Sequence, residues 1–142
     1  MRRGITPGIL VKVATISLGV VAIIVFVGWF AGGIRRTDAV RRIAAHAQIS
    51  GFMTALGTYR LETGTFPTTE QGLKALREKP EGVNVWQGPY LQKDIPKDPW
   101  ENDYAYKFPG DHGTKPDIVS YGLDGQPGGD GNNADIVSWK ND

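Results

Sequence analysis

The stretch TDAVRRIAAHAQISGFMTALGTYRLETG, from Thr37 to Gly64, decides the fold. Threonine is a residue type that caps the start of a helix, because its side-chain oxygen accepts a hydrogen bond from a backbone N–H of the first turn. Apolar side chains then recur at close to helical spacing, which predicts a helix with one stripe to bury. The stripe consists of Val40, Ile43, Ala47, Phe52 (or Met53), Leu56 and Tyr59. Gly64 predicts the end of the helix, since glycine readily adopts the left-handed conformation of a C-terminal cap.

Upstream of this helix lies an uncharged apolar run, VATISLGVVAIIVFVGWFAGG, from Val13 to Gly33. A run of about 20 apolar residues can cross a bilayer as a helix, so we predict a transmembrane helix over residues 13–33. Residues 1–12 are then a short basic leader or cytoplasmic segment, and residues 34–142 form a globular domain. Because only the tripeptide IRR separates the run from Thr37, the two segments can form one long helix from Ile9 to Glu62.

Two observations favour other interpretations of the N-terminal segment. The AGG tripeptide at the end of the run is similar to a signal-peptide cleavage site, which would make the run a cleaved signal. Positively charged residues favour the cytoplasmic side of a membrane, and slightly more of them follow the run than precede it. Those before it are Arg2, Arg3 and Lys12, and those after it are Arg35, Arg36, Arg41 and Arg42. Charge alone therefore slightly favours a cytoplasmic C-terminal domain.

The sequence after Gly64 predicts short elements joined by turns. TTEQGLKALREKP, residues 68–80, combines apolar residues at helical spacing with a terminal proline, which predicts a short second helix. The next 20 or so residues are rich in proline and glycine and predict an irregular loop, held by Trp86, Tyr90, Leu91 and Trp100. NDYAYKFPG, PDIVSYGL and ADIVSW then predict three short strands. The predicted fold class is α+β, with a long N-terminal helix whose soluble half packs on a small antiparallel sheet.

Composition excludes several classes of function. The chain has no cysteine, which excludes disulfides, thiolate metal sites and cysteine nucleophiles. Its formal net charge of +1 provides no electrostatic basis for nucleic-acid binding. His46 and His112 are its two histidines, and the sequence contains no serine nucleophile motif. We therefore expect the protein not to be an enzyme.

The segment LDGQPGGDGNNAD concentrates carboxylates, amides and glycines between the last two predicted strands. Asp124, Asp130 and Asp135 can supply carboxylate oxygens, and Asn132 and Asn133 can supply amide oxygens. Hard divalent cations prefer oxygen ligands, and calcium takes about six to eight of them. The segment is therefore a candidate structural calcium site, although it does not match the EF-hand or β-helix calcium signatures. The alternative is a solvated hairpin loop with asparagine and glycine turns.

Three blocks of the sequence together resemble the major pseudopilins of type II secretion systems. The first block is YRLETGTFPTTEQGLKAL, the second is GPYLQKDIPKDPWENDYAYKFPGDHG, and the third is DIVSYGLDGQPGGDGNNADIVSW. They follow one another in the order of the family from about Thr58 to Trp139, over more than half of the chain. The resemblance implies a type IV pilin-like fold.

The resemblance also implies a function, which is that of a structural subunit of a periplasmic filament, the pseudopilus, that helps to export folded proteins across the outer membrane. The expected partners are other subunits of this filament, the inner-membrane secretion platform and the lipid bilayer. The expected location is the inner membrane, as a single-pass protein with its C-terminal domain in the periplasm. Family members bind calcium in the third block, which implies Asp124, Asp130 and Asp135 as ligands, with backbone oxygens near Tyr121 and Gln126.

The N-terminus departs from the pattern of the resembled family. Such subunits are cleaved after a glycine and methylated at the new N-terminus, and they carry a glutamate near it. Gly4 is in place for the cleavage, but Pro7 and Gly8 follow, and Ile9 stands where the glutamate would be. The alternative function is therefore a membrane-anchored, calcium-binding, pilin-like module that does not polymerise.

Overall fold

A long helix supports the rest of the fold. The computed structural model describes residues 37–140, in which residues 37–63 form one α-helix, α1. The predicted long helix is thus confirmed over its second half, whereas its first half and the predicted segments 1–12 and 13–33 lie outside the described residues. Within residues 37–140, none of the helices combines the length and the hydrophobicity that a membrane span requires.

The buried face of α1 differs from the predicted stripe in its first turns. Six apolar residues of the helix belong to the core: Ala45, Ile49, Phe52, Ala55, Leu56 and Tyr59. The prediction is therefore right for Phe52, Leu56 and Tyr59. It is wrong for Val40 and Ile43, which are 62% and 69% exposed, and for Ala47, which is also exposed. Both faces carry uncharged residues at helical spacing, so periodicity alone does not choose between them.

Gly64 ends α1 as predicted. It adopts a φ of 88°, in the left-handed region, and its N–H donates to the Arg60 carbonyl oxygen at 2.8 Å. The predicted second helix is shorter and tighter than expected, because a 3₁₀ helix covers only Leu73–Leu76. Gly72, directly before it, has a φ of 58° and no side-chain cap, so the α-helical conformation does not extend towards Thr68. Leu73, Ala75 and Leu76 nevertheless bury their side chains in the core.

The predicted irregular loop is confirmed and is held by aromatic side chains. The Trp86 indole N–H donates to the Ala75 carbonyl oxygen at 3.0 Å. The Tyr90 ring packs edge-on against Trp86 and against Tyr59 of α1, with ring centroids 5.7 and 5.5 Å apart. Edge-to-face packing of this kind stabilises aromatic clusters beyond the area they bury. The loop thus keeps a fixed path between the 3₁₀ helix and the sheet.

Three short strands form the antiparallel sheet that the sequence predicted. They are β1 (Ala105–Lys107), β2 (Asp117–Ser120) and β3 (Ile136–Val137), in the order β1-β2-β3. Tyr106 of β1 lies opposite Ile118, and Ser120 lies opposite Ile136. Ile118 and Ile136 are 0% and 1% exposed and join the apolar side chains of α1 in one core. The predicted α+β fold class is confirmed.

Candidate functional site

The acidic loop, defined as residues 121–135, connects β2 to β3. Because the two strands are antiparallel neighbours, the two ends of the loop lie side by side. The Leu123 N–H donates to the Asn132 carbonyl oxygen at 3.0 Å, which continues the hairpin past the strand ends. A short 3₁₀ helix, Gly131–Asn133, then turns the chain back towards β3. The loop is therefore an ordered hairpin with internal bonds of its own.

The three predicted carboxylates have different surroundings in the acidic loop. Asp124 Oδ1 accepts a hydrogen bond from the Gln126 N–H at 3.1 Å, and Asp135 Oδ2 accepts one from the Gly128 N–H at 3.0 Å. The exposed Asp130 precedes the 3₁₀ helix without capping it through its side chain. Within the described residues, no three acidic or histidine side chains are grouped closely enough to hold a metal ion. Any cation in this loop would therefore need backbone oxygens as well as carboxylates.

Asp135 carries the atom that fits a bound cation best. Its Oδ1 is buried and has no hydrogen-bond partner in the described part of the chain. A buried polar atom without a partner costs about 1–3 kcal/mol, and more when it is charged, so a cation at this oxygen would remove a penalty. Tyr121 and Gln126, the predicted sources of backbone oxygens, are half-buried and exposed, respectively. The carboxylates of Asp124, Asp130 and Asp135 and the backbone carbonyls of the loop offer oxygen ligands, and this is the donor set that calcium prefers.

A buried carboxylate outside the loop, Asp98, anchors the start of the acidic loop. Asp98 is 2% exposed. Its Oδ1 accepts hydrogen bonds from the backbone N–H groups of Trp100 and Asn102, at 3.0 and 2.8 Å. Its Oδ2 accepts the hydroxyl of Ser120, the last residue of β2, at 2.6 Å. Asp98 therefore ties the irregular loop to the strand from which the acidic loop begins.

Asn102 extends this connection into the acidic loop itself. Its side-chain amide donates to the Gly122 carbonyl oxygen at 2.7 Å. Gly122 has a φ of 64°, and a Cβ at this position would lie 2.7 Å from the Asn132 carbonyl oxygen. Only glycine fits this close approach of the two limbs of the loop. Gly122 and Asn102 thus set how tightly the loop closes.

Arg42 of α1 holds the opposite limb of the acidic loop. Its guanidinium Nη1 donates to the carbonyl oxygens of Gly131 and Ala134, at 3.3 and 3.1 Å. Gly131 is the first residue of the 3₁₀ helix of the loop, and Ala134 directly follows that helix. Sequence reasoning missed Arg42 and Asn102, because each acts on a part of the chain that lies far away in sequence. Asp98 stands with Pro96, Pro99 and Trp100 in the second block of the family resemblance, and this block indicated that the segment has a fixed structure.

His112 lies in a contact that holds the segment directly after β3. Its ring stacks on Trp139, with centroids 3.7 Å apart and an angle of 5° between the planes. Its Nδ1 lies 2.8 Å from Asp117 Oδ2, which also accepts the Asp111 N–H at 2.8 Å. His46, the other histidine, is half-buried on α1. The contacts of His112 therefore have a structural explanation, since they hold the segment after β3 against β2.

Two tyrosine hydroxyls attach β1 and its preceding residue to α1 and to the segment that follows α1. Tyr104 donates to the Gln48 side-chain oxygen on α1, and Tyr106 donates to the Pro67 carbonyl oxygen at 2.8 Å. Burial raises the pKa of both phenols, because the ionised form would lose its hydration. The negative charge of Asp98 raises the pKa of Tyr104 further. Both groups therefore stay protonated and act as donors at neutral pH.

A second candidate surface is the side of α1 that faces away from the core. This outward helix face consists of Val40, Ile43, Ala47, Ser50, Gly51, Thr54, Thr58 and Leu61, all exposed. It carries no charged residue along about six turns of helix, since Arg41 and Arg60 lie outside it at about 100° per residue. Helices that face water normally present charged and polar residues on that side. The outward helix face is therefore better suited to contact with another protein surface than to water.

Comparison with known protein families gives a match over nearly all of the described residues. A family model described as type II secretion system (T2SS), protein G, matches residues 34–139. The type II secretion system core protein G of Vibrio cholerae is 41% identical over 132 residues, which cover 91% of this chain and 86% of the relative. The protein of the same name from Pseudomonas aeruginosa is 39% identical over 109 residues, covering 75% of this chain and 76% of the relative.

A solved structure is similar as well. It is described as the crystal structure of the major pseudopilin from the type 2 secretion system of enterohaemorrhagic Escherichia coli. It is 33% identical in sequence, superposes with a TM-score of 0.62, and covers 73% of this chain and 90% of that chain. The similarity therefore extends to the arrangement of helix and sheet, and the resemblance found in the sequence is confirmed.

Proposed function

The chain belongs to the type II secretion system protein G family, and from this premise we propose how its surfaces serve that role. The family relatives include major pseudopilins, so the chain is a structural subunit of the type II secretion pseudopilus and assembles with other pseudopilin subunits. Its part in a periplasmic filament that helps to export folded proteins across the outer membrane follows from this family.

The outward helix face is the observation that supports assembly of this particular chain. Val40, Ile43 and Leu61 expose 62%, 69% and 87% of their surface, although large apolar side chains gain free energy when they leave water. Small residues between them, such as Gly51, allow another helix to approach closely. We propose that copies of the chain pack against one another through this face in the filament.

A charge on the outward helix face tests this proposal. Ile43→Glu should prevent incorporation into filaments, because burial of an unpaired carboxylate between subunits is costly. Val85→Glu is the matched control, since Val85 is also exposed (54%) but lies in the irregular loop. Electron microscopy of filaments from overproducing cells, together with an assay of exoprotein secretion, provides the measurements. Filaments that contain the Ile43→Glu variant at the wild-type level would show that the face does not carry assembly.

We further propose that the acidic loop binds structural calcium. Asp124, Asp130 and Asp135 would provide carboxylate oxygens, and the backbone near Tyr121 and Gln126 would provide further oxygens. The unpartnered buried Oδ1 of Asp135 supports this proposal. So does the absence of histidine and cysteine, the ligands that zinc prefers, from residues 121–135. Bound calcium would neutralise the carboxylates and brace the hairpin that joins β2 to β3.

Thermal unfolding of the full-length protein with and without calcium tests the metal site. Asp124→Ala should lower the melting temperature in millimolar calcium and change it little in a chelator, because a ligand that binds only the native state stabilises it by mass action. Asp103→Ala is the control, since the Asp103 side chain is 90% exposed. If wild type, Asp124→Ala and Asp103→Ala melt together in calcium, the acidic loop is not a calcium site.

The apolar run and the family membership together support a proposal for the N-terminal part of the chain. We propose that residues 13–33 anchor the protein in the inner membrane, that the domain of residues 34–142 lies in the periplasm, and that the subunit engages the inner-membrane secretion platform and the lipid bilayer. We also propose cleavage after Gly4 and methylation of the new N-terminus. Mass spectrometry of the membrane-extracted protein should then find a methylated Ile5 at the start of the chain, and an intact Met1 would exclude the cleavage.

Finally, we propose that the subunit is not an enzyme. Its relatives are named as core proteins of a secretion system, and the contacts of His112 have a structural explanation. His112→Gln keeps a planar polar side chain that can still bond to Asp117, so it should leave secretion unchanged. Loss of secretion at an unchanged melting temperature would instead indicate a chemical role for this histidine.

A further inference from the structure

We propose that Arg42 is a positioning residue of the acidic loop, which sets the turn from which Asp130 and Asp135 bind the cation. The inference rests on the calcium site proposed above and adds a residue to it. Arg42 would not itself bind the cation, since a guanidinium is positively charged and carries donors only. It would act through the two carbonyl groups that it holds.

The position of these carbonyls carries the inference. Arg42 donates to the carbonyl oxygens of Gly131 and Ala134. Gly131 directly follows Asp130, and Ala134 directly precedes Asp135. The two contacts therefore fix the backbone next to both candidate ligands at once. They also attach this backbone to α1, the longest rigid element of the described domain.

The other limb of the loop is held independently. Asn102 donates to the Gly122 carbonyl oxygen, and Asp98 in turn holds the backbone of Asn102. Side chains from two distant segments thus fix both ends of the acidic loop. A loop that is ordered before binding loses less conformational entropy when the cation arrives, and this increases affinity.

Two effects of Arg42 on a cation have opposite signs, which makes the inference testable. Its positive charge repels a cation, so removal of the charge alone would strengthen calcium binding. Its hydrogen bonds position the loop, so their removal would weaken calcium binding. Outer residues that orient metal ligands typically change metal affinity by about 10–100-fold when they are replaced. Because the contacts of Arg42 with the loop are to carbonyl oxygens, and because surface charge is screened by salt, we expect positioning to dominate.

Isothermal titration of the full-length protein with calcium chloride, at physiological ionic strength, measures the outcome. Arg42→Gln should raise the calcium dissociation constant about 10-fold or more. Arg42→Lys keeps a donor of similar reach and should restore affinity to within about threefold of wild type. The control is Arg60→Gln, which makes the same substitution on the same helix at an arginine that packs over Phe66, 5.1 Å from the ring centroid, instead of the loop. It should bind calcium like wild type.

Melting temperatures distinguish a positioning role of Arg42 from a contribution to stability alone. Since weaker binding gives less stabilisation by calcium, the loss of melting temperature in Arg42→Gln should be larger in calcium than in a chelator. By reciprocity, calcium should also strengthen the Arg42 contact in the wild-type protein. Nuclear magnetic resonance should therefore show slower solvent exchange of the Arg42 guanidinium protons when calcium is added.

The possible results separate this inference from the calcium proposal. If wild type does not bind calcium, both are wrong. If wild type binds calcium but Arg42→Gln binds it equally well or more tightly, only the role of Arg42 is wrong. If the Arg42 variants do not fold, unchanged guanidinium exchange in the wild-type protein upon addition of calcium overturns the role of Arg42, and slower exchange supports it.

Discussion

Removal of the Asp98 carboxylate should destabilise the protein more than removal of any exposed acidic group. Asp98 is 2% exposed and accepts three hydrogen bonds, two from backbone N–H groups and one from the Ser120 hydroxyl. In Asp98→Ala all three donors lose their acceptor. Ser120 is fully buried, so water does not readily replace the carboxylate there. The two N–H groups are only partly buried, and water can reach them at some cost.

The expected magnitude follows from these three bonds. A hydrogen bond to a charged group contributes about 1.5–3 kcal/mol, which gives an upper sum of about 4.5–9 kcal/mol. Because water partly satisfies the two N–H groups, we expect Asp98→Ala to cost about 3–5 kcal/mol. In Asp98→Asn the amide oxygen still accepts the N–H groups, and the amide N–H can donate to Ser120. Neutral hydrogen bonds are roughly half as strong as charge-assisted ones, so this variant should cost about half as much, or about 1.5–2.5 kcal/mol.

Urea unfolding of the full-length protein, followed by tryptophan fluorescence in excess calcium, measures these costs. Asp103→Ala is the control and should change the free energy of unfolding by less than about 0.5 kcal/mol, because its side chain is 90% exposed. The order of stability should be wild type, then Asp98→Asn, then Asp98→Ala. A cost below about 1 kcal/mol for Asp98→Ala would refute the view that this carboxylate organises the region, since even one charge-assisted bond exceeds it.

Leu56→Ala should lower the free energy of unfolding by about 2–5 kcal/mol, because Leu56 is 0% exposed. Leu61→Ala should cost less than about 0.5 kcal/mol, because Leu61 is 87% exposed. Equal costs in urea unfolding would contradict the assigned helix faces. Gly122→Ala should lower the melting temperature more than Gly131→Ala. Both positions have a positive φ, which costs alanine about 1–2 kcal/mol. Only at Gly122 would the new Cβ also collide with the backbone, since it would lie 2.7 Å from the Asn132 carbonyl oxygen. Burial, and then a nearby carboxylate, raise the pKa of Tyr104 above its usual 10.0. The stabilisation by protonated Tyr104 should therefore be complete below a pH of about 10 and should be lost as the pH rises through the raised pKa. Melting temperatures measured from pH 7 to 11 should then fall less steeply for Tyr104→Phe than for wild type.

Most of the fold could be predicted because its elements carry local patterns. The helix that ends at Gly64, the irregular loop with Trp86 and the three strands all follow from spacing and turn residues within each segment. The spacing predicts a second helix that is too long, because Gly72 lies inside the pattern and its positive φ interrupts the helical conformation. A glycine inside a helical pattern costs about 1 kcal/mol relative to alanine and readily adopts positive φ, so it weakens the prediction of a helix.

The candidate metal site could be predicted only in part, for a reason that lies in chain topology. Asp124, Asp130 and Asp135 stand within one short segment, so their common location in a loop is a local property of the sequence. Arg42 contacts residues 89 and 92 positions further along the chain. No periodicity or motif relates residues at such separations, and only the packing of α1 beside the sheet brings them together. The chemistry of a loop is thus local, while the residues that position it are not.

The error in the predicted stripe of α1 has a physical meaning of its own. Val40, Ile43 and Ala47 belong to the predicted stripe because they are apolar and follow helical spacing, but in the structure they lie on the outward helix face. A helix that serves only a monomer needs one apolar face, and its other side is free to carry charges. A helix that also contacts other subunits needs two uncharged faces. Periodicity that is interpreted as one stripe then combines residues from both faces. The residues that were wrongly placed in the core are therefore those at which a charge should disturb assembly without disturbing folding, and Ile43→Glu tests this separation directly.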